Sequence, residues 1–229
     1  NMAFKCVIFR TNVRSYRTVK ALADKYGAIP QFEINLTNGV DGDVSIVENL
    51  GLPDDVKEIL LRDSLLPLYV GSDTTLDRPM KKPLDARPCN AGIQSFSITP
   101  EGEMQPCCAF PASFGNIQDM SLSEVLQSDN LKRWRQVSVG DIGECGRHEK
   151  CNFCFLCVGN GYIESGTPFK SPKSSCDMAE LRYNLSRKIA EGKDPLGGKS
   201  IEDKLNEIDI PKTMEFGRNI KESYRNRGL

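Results

Sequence analysis

Cysteine is the residue type in this sequence with the clearest potential for chemistry. The chain has nine cysteines, and eight of them fall between residues 89 and 176. Thiolates separated by two to five residues can converge on one soft metal centre, either a tetrahedral zinc ion or an iron–sulfur cube. In a reducing compartment such spacing is more typical of metal binding than of disulfides. The candidate ligands are Cys89, Cys107, Cys145, Cys151, Cys154, Cys157 and Cys176.

A predicted β-hairpin and two predicted helices must position these cysteines. Residues 95–98 and 103–107 read as strands joined by a Pro-led turn that ends at Gly102. Cys107 and Cys108 are neighbours at the end of the second strand and point to opposite faces, so at most one of them faces a given cluster. A capping box at residues 121–124 begins a helix with the apolar stripe Leu122, Val125, Leu126, Leu131 and Trp134.

Apolar residues at helical spacing after Cys176 predict a further helix that ends near Gly192. The spaced residues are Met178, Leu181, Leu185 and Ile189.

The front of the chain predicts one parallel strand-helix-strand unit. The strands cover residues 4–10 and 31–36, and a helix lies between them at 16–26. A short helix follows at 53–61. Cys6 lies inside the first strand and is interpreted as a buried apolar residue. The predicted apolar face of the first helix consists of Val19, Leu22, Ala23 and Tyr26.

The residues around the cysteines carry a family resemblance. Cys89, Gly102 and Cys107 follow the pattern of a cysteine, nine to fifteen residues, and then Gly-x4-Cys. On these residues the region resembles the SPASM domain that follows the barrel in many radical SAM peptide-modifying enzymes. Further stretches that are similar to the family are 98–102, 106–107, 114–117, 121–125, 154–159 and 164–166.

The later cysteines depart from the family pattern Cys-x2-Cys-x5-Cys-x3-Cys, and two registers are open. In the first register, Cys145 begins the block and His148 stands where a cysteine is usual. Cys154 then follows after five residues, and Cys157 comes one residue early. In the second register, Cys145 and Cys151 form the pair separated by five residues, and Cys154 is the fourth cysteine.

We favour the first register because residues 157–159 then fall where the family often has Cys-x-Gly. Under that register Cys151 is an extra cysteine and His148, the single histidine of the chain, is a further candidate ligand. Cys151 is the better candidate, since a thiolate suits an iron–sulfur cube better than an imidazole does.

Carried over to this sequence, the family scheme implies two auxiliary [4Fe–4S] clusters. The first would take Cys89, Cys107 and Cys157. Three thiolates leave three alternatives open: an iron without a thiolate, a fourth bond from Cys108, or no cluster. The second cluster would take Cys145, Cys154, Cys176 and either Cys151 or His148.

The strand-helix-strand opening resembles the final part of a radical SAM partial barrel. No Cys-x3-Cys-x2-Cys loop occurs in the 229 residues. The resemblance therefore implies that S-adenosylmethionine binds only in a full-length enzyme with a missing N-terminal barrel half, and that this chain does not cleave it alone. The expected fold class is α+β, with the remnant strand-helix-strand of a partial α/β barrel followed by a small cysteine-rich SPASM lobe. The predicted division is 1–65 barrel remnant, 66–88 linker, 89–190 SPASM domain and 191–229 charged tail.

Composition excludes some classes of partner. A formal charge of −1 gives no electrostatic bias toward nucleic acid or anionic lipid. The sequence contains no run of about 18 apolar residues. We therefore expect a soluble, cytoplasmic protein with no nucleic-acid or membrane partner.

The leading functional hypothesis, from the resemblance, is an auxiliary iron–sulfur domain of a radical SAM enzyme. It would relay electrons between the substrate radical and an external donor or acceptor, and help to bind a peptide or protein substrate. The alternative is a structural zinc-binding interaction module with Cys145, Cys151, Cys154 and Cys176 as ligands. Zinc could also occupy the same thiolates as a substitute. A simple electron carrier is disfavoured, because the strand-helix-strand opening would have no role in it.

Overall fold

The structure is a computed structural model that describes residues 2–66, 68–71 and 81–208. These residues divide into two compact units. The described part of the first unit comprises residues 2–36, 47–66, 68–71 and 185–208, and that of the second comprises 37–46 and 81–184. Residues 67 and 72–80 of the predicted linker (66–88) and residues 209–229 of the predicted tail (191–229) lie outside the described residues.

The first unit opens with the strand-helix-strand arrangement that the sequence predicts. Strand β1 (Ala3–Val7) and strand β2 (Ile29–Glu33) are parallel, with Ala3 opposite Ile29. Helix α1 (Tyr16–Lys25) connects them. It ends because Gly27 adopts a positive φ of 62°, a conformation that glycine reaches without steric cost.

The apolar face predicted for α1 is wrong in part. Tyr16 and Ala23 are the residues of α1 that are buried, whereas Leu22 and Tyr26 are exposed. Tyr16 and Ala23 are seven residues apart and therefore lie on the same, buried face of the helix. Leu22 lies at the side of that face. Tyr26 instead packs its ring against Phe4, with ring centroids 6.3 Å apart.

Three further helices lie wholly or mainly in the first unit. Helix α2 (Ser45–Leu50) was not predicted, and helix α3 (Asp54–Leu60) lies within the predicted helix at 53–61. Helix α8 (Ile201–Glu207) follows later in the chain, with an N-cap hydrogen bond to the Ser200 hydroxyl. Ile201 and Leu205 are buried, so α8 contributes apolar side chains to the core as well as a charged surface.

A buried polar network fixes α1 to the loop after α3. The Tyr16 hydroxyl donates a short hydrogen bond to the Asp63 carboxylate, which also forms an ion pair with Arg17 at 2.9 Å. Asp63 accepts a further hydrogen bond from the Leu65 amide. Because its oxygens have these donors, the buried carboxylate does not bear the cost of an unpaired charge.

The second unit contains the predicted hairpin and, wholly or mainly, four helices of the described residues. Strands β3 (Ser97–Ile98) and β4 (Met104–Gln105) are antiparallel, and Gly102 adopts the positive φ that the turn requires. The helices are α4 (Leu122–Leu126), α5 (Asp129–Trp134), α6 (Val158–Ser165) and α7 (Lys173–Ala190), with 3₁₀ turns at Val139–Asp141 and Glu149–Phe153.

The single helix predicted after the capping box is two helices. The capping box of Ser121 and Glu124 is present at the start of α4. Helix α4 ends at Leu126. The Ser128 hydroxyl then caps α5 by accepting a hydrogen bond from the Leu131 amide. A serine in this position competes for the backbone and favours a new N-terminus over a continuous helix.

An apolar cluster forms the core of the second unit around the Trp134 and Phe110 rings. These rings meet edge to face with centroids 4.9 Å apart, a favourable aromatic geometry. Cys89 and Cys107 pack against this cluster and Cys145 belongs to it, so the core directly supports three of the predicted ligands. The cluster consists of Phe110, Leu131, Trp134, Val139, Ile142, Cys145 and Val158.

The fold class is α+β, since helices are combined with two small two-stranded sheets. Neither sheet closes into a barrel within the residues that the structure describes. In the same residues, we find no helix whose length and apolar character would let it cross a membrane.

Candidate metal centre

All seven cysteines predicted as ligands line one cavity of the second unit. The cavity has a volume of about 760 Å³, and its wall combines residues from 81–95, Cys107 and residues from 139–176. Cysteines as far apart in sequence as Cys89 and Cys176 therefore meet in space. The lining cysteines are Cys89, Cys107, Cys145, Cys151, Cys154, Cys157 and Cys176.

Electrostatic interactions among the thiols define a first cysteine group of Cys89, Cys107 and Cys157. Burial raises the pKa of Cys107, and the charges of Cys157, Cys108 and Cys89 raise it further. Burial likewise raises the pKa of Cys157, to which the charge of Cys89 also contributes. Of the cysteines that act on Cys107, Cys157 and Cys89 line the cavity and Cys108 does not.

A second cysteine group consists of Cys145, Cys151, Cys154 and Cys176. Burial, followed by the charges of Cys176, Cys151 and Cys145, raises the pKa of Cys154 to about 12. Burial and the charges of Cys145 and Cys151 raise the pKa of Cys176 to about 11. The second group therefore brings together four thiols that repel one another when ionised.

Gly92 brings Cys89 and Cys107 together. Its amide donates to the carbonyls of Ser95 and Pro106, at 2.9 and 3.0 Å, so it ties the turn after Cys89 to the strand end that carries Cys107. A β-carbon at Gly92 would lie 2.8 Å from the Trp134 ring. The position therefore requires glycine both for its φ of 73° and for this close approach.

Cys157 lies at the N-terminus of α6, where free backbone amides surround its sulfur. The Gly159 and Asn160 amides both donate to the thiol and act to lower its pKa, against the larger opposing effect of burial. A β-carbon at Gly159 would lie 2.1 Å from the Ala109 carbonyl oxygen. The missing side chain at Gly159 thus lets Cys157 approach the turn that follows Cys107.

Local turns position three members of the second group. Cys145 lies 3.6 Å from the Ser171 hydroxyl, and Gly143 lets Ser171 approach because it lacks a β-carbon. The 3₁₀ turn Glu149–Phe153 contains Cys151 and ends immediately before Cys154. The Cys154 amide donates to the Cys151 carbonyl at 3.1 Å. This tight turn brings both thiols to the same cavity.

The 164–166 stretch that resembles the family has a structural role in placing Cys176. The Glu164 carboxylate accepts hydrogen bonds from the Lys173 and Ser174 amides, the first two of α7, at 2.5 and 3.1 Å. Gly166 ends α6 with a φ of 72°. The same stretch thus stops α6 and begins α7, which carries Cys176 in its first turns.

Ser175 contacts both cysteine groups. Its hydroxyl accepts a hydrogen bond from the Cys157 amide at 3.4 Å, and its carbonyl oxygen lies 3.8 Å from the Cys154 sulfur. Ser175 is 3% exposed. One buried residue of α7 therefore lies between the first group and the second.

A buried cation beside the second group was not predicted from the sequence. Arg182 is 5% exposed and donates a short hydrogen bond to the carbonyl of Phe153, the residue before Cys154. Burial lowers the pKa of Arg182 to about 10, and the charge of Cys154 opposes that shift. The position of Arg182 in a helix rich in charged residues does not distinguish it, in the sequence, from a surface arginine.

The remaining candidates lie in different surroundings. His148 lines the cavity, but its side chain is 63% exposed and lies 3.9 Å from the Glu144 carboxylate. Cys108 is exposed and is not among the residues that line the cavity. Cys6 lies in β1 of the first unit, as predicted, but it is half-buried and not fully buried. All nine cysteines are free thiols.

The donor set fits iron–sulfur clusters. Crowded, buried thiols with raised pKa values stay protonated unless a cation compensates their charge, and a bound metal ion deprotonates its thiol ligands outright. No group of three or more His, Cys, Asp or Glu side chains in the described ranges stands as a ready site for a single metal ion. In a cube each thiolate binds a different iron atom, so the thiolates surround a wider volume than the ligands of one zinc ion.

Comparison with known proteins gives matches to the same region. Residues 89–158 match the SPASM family, described as an iron–sulfur cluster-binding domain. The antilisterial bacteriocin subtilosin biosynthesis protein AlbA of Bacillus subtilis is 34% identical over 73 residues. The AdoMet-dependent heme synthase of Oleidesulfovibrio alaskensis is 32% identical over 82 residues. These alignments cover 31% and 35% of this chain, and 16% and 21% of the relatives.

The cysteine-lined cavity and these matches define an iron–sulfur cluster-binding domain. Residues 89–158 are thus similar to the SPASM domain, and the two relatives that match this region are a bacteriocin biosynthesis protein and an AdoMet-dependent heme synthase. Cys176 lies beyond the matched residues 89–158, and the structure places it on the same cavity.

Proposed function

We propose that the second unit holds two auxiliary [4Fe–4S] clusters. The first cysteine group would bind one cluster through Cys89, Cys107 and Cys157, with one iron that lacks a cysteine ligand. The second group would bind the other cluster through four thiolates. The separation of seven cavity-lining cysteines into these two groups is the observation that carries the proposal.

The bound clusters would exchange single electrons with a substrate radical, which must lose or gain an electron after hydrogen abstraction. The residues of this chain supply the setting for that exchange. The apolar cluster around Trp134 packs against Cys89 and Cys107 of the first group. The amides at the start of α6 donate to the Cys157 sulfur, which stabilises its ionised form.

The substrate class that we propose is a peptide or a protein side chain. The resemblance to peptide-modifying radical SAM enzymes supports it, and one relative is named for the biosynthesis of a bacteriocin. The parallel strand-helix-strand of the first unit would be the last part of a radical SAM partial barrel. The missing barrel half would bind S-adenosylmethionine, and an external donor or acceptor would complete the electron path.

Anaerobic reconstitution tests the cluster assignment. The chain should bind about eight iron and eight sulfide per polypeptide. Cys89→Ala and Cys176→Ala should each lower both values to about four, because each removes a ligand from a different group. Stoichiometric zinc without sulfide after anaerobic reconstitution would support the structural zinc module instead. Unchanged iron in both variants would refute the assignment of the ligands.

A further inference from the structure

Arg182 places a guanidinium against the chain segment that carries a ligand of the second group. Helix α7 carries Arg182 into the interior, where it is 5% exposed. It donates to the Phe153 carbonyl and lies over the Phe153 ring, 5.8 Å from the centroid. Both contacts hold the cation beside the residue that precedes Cys154.

The hydrogen bond to the Phe153 carbonyl places the guanidinium of Arg182 one residue from Cys154 along the chain. The cation is buried at a cost in solvation. A thiolate-bound cluster held by Cys154 would lie within the field of this cation.

We propose that Arg182 raises the reduction potential of the cluster bound by the second cysteine group, an inference that rests on the proposed function. On reduction, one electron from a low-potential reductant enters the cube, which becomes more negative by one charge. No bond breaks and no proton is transferred. A fixed, poorly hydrated cation stabilises this added charge, and net charge near a cluster is one of the determinants of its potential.

The first cysteine group lacks an equally buried cation among the described residues that line the cavity. The cationic lining residues Lys81, Lys82 and Arg87 are exposed, so water and salt screen their charges.

A redox titration of single-cluster protein isolates the effect. The full chain with Cys107→Ala keeps the second group as the reporting cluster, and mediators set the ambient potential while absorbance or EPR follows reduction. In this background Arg182→Gln removes the charge and Arg182→Lys retains it. Arg133→Gln is the matched control, because Arg133 is an exposed cation on α5 of the same unit.

The proposal predicts that Arg182→Gln lowers the ratio of reduced to oxidised cluster at fixed potential about tenfold, which is 59 mV for one electron. In Arg182→Lys and Arg133→Gln, the ratio of reduced to oxidised cluster should stay within about threefold of its value in the Cys107→Ala protein. An unchanged potential in Arg182→Gln, or an equal loss in Arg182→Lys, would overturn the proposal. If Arg182→Gln takes up no iron, the Arg182→Lys variant decides. A change of about threefold or less in its ratio of reduced to oxidised cluster supports the role of charge, and a tenfold fall in that ratio overturns it.

The design separates this inference from the proposed function. If the Cys107→Ala protein binds no iron and sulfide, the proposed function itself fails. If it binds about four of each and its potential does not respond to Arg182, only the inference fails.

Discussion

Gly159 and Ala109 approach each other so closely that a β-carbon at Gly159 would lie 2.1 Å from the Ala109 carbonyl oxygen. Ala109 follows Cys107 by two residues, and Gly159 follows Cys157 by two. The contact therefore joins the turns that carry two ligands of the first cysteine group. It gives a packing reason for glycine in the Cys-x-Gly sequence at 157–159.

Gly159→Ala should disrupt the first cluster and leave the second in place. The added methyl group meets backbone atoms, which cannot move aside as a flexible side chain would, so we expect a destabilisation of about 3 kcal/mol. Iron per chain should fall from about eight to about four. Gly161→Ala in the same helix is the control, because its β-carbon would lie 3.1 Å from its nearest atom. Full iron content in Gly159→Ala would contradict this explanation.

The adjacent cysteines at 107 and 108 provide a matched pair. Cys107 lines the cavity, whereas Cys108 is exposed and does not. We expect Cys107→Ala to lose about four iron and four sulfide, and Cys108→Ala to keep the full content. Loss of iron in Cys108→Ala would instead make Cys108 the fourth ligand of the first cluster.

Cys151 and His148 are the two candidates for the remaining ligand of the second cluster. Cys151 interacts electrostatically with Cys145, Cys154 and Cys176, whereas the His148 side chain is mostly exposed beside Glu144. Cys151→Ala should therefore abolish the second cluster, and His148→Ala should preserve it. Iron and sulfide analysis of the two variants would reverse this assignment if only His148→Ala lost about four of each.

Tyr16→Phe should destabilise the first unit by about 1–2 kcal/mol near neutral pH, because it removes the hydroxyl that donates to buried Asp63. Chemical denaturation measures this loss. Tyr26→Phe is the control, since Tyr26 is exposed, and its effect should stay within about 0.5 kcal/mol. An equal effect of both variants would contradict the role of the buried hydrogen bond.

Because of the Tyr16 hydroxyl, we expect the free energy of unfolding to depend on pH in the alkaline range. Burial and the hydrogen bond to Asp63 raise the pKa of Tyr16 from its ordinary value of 10.0 to about 12. The folded protein therefore holds this proton more tightly than the unfolded chain does. The resulting stability is complete below pH 10 and is lost as the pH rises to about 12. The gap in stability between the original protein and Tyr16→Phe should narrow over that interval, and a constant gap would refute this origin.

Sequence reasoning succeeded where one local signal determined the structure. The capping box at Ser121 began a helix, Gly102 adopted the positive φ of the hairpin turn, and Gly27 ended α1. The seven cysteines also met on one cavity. Their spacing and the surrounding family pattern were enough to select them, while their assignment as metal ligands stays a prediction.

Features that depend on tertiary packing could not be read from the sequence. The exposure of Leu22 follows from the direction in which α1 packs, and the periodic pattern alone did not fix that direction. Arg182 and Ser175 acquire their roles only because α7 lies against the turn before Cys154. No motif identifies a buried cation or a bridging serine within an otherwise ordinary polar helix.

Quantitative iron and sulfide analysis of the anaerobically reconstituted chain, combined with Mössbauer spectroscopy, tests the central claim most directly. Two cubes predict about eight iron and eight sulfide per chain and a signal typical of [4Fe–4S] clusters. The account is contradicted if the seven cavity-lining cysteines remain freely titratable as thiols under these conditions, or if the chain takes up zinc and no sulfide.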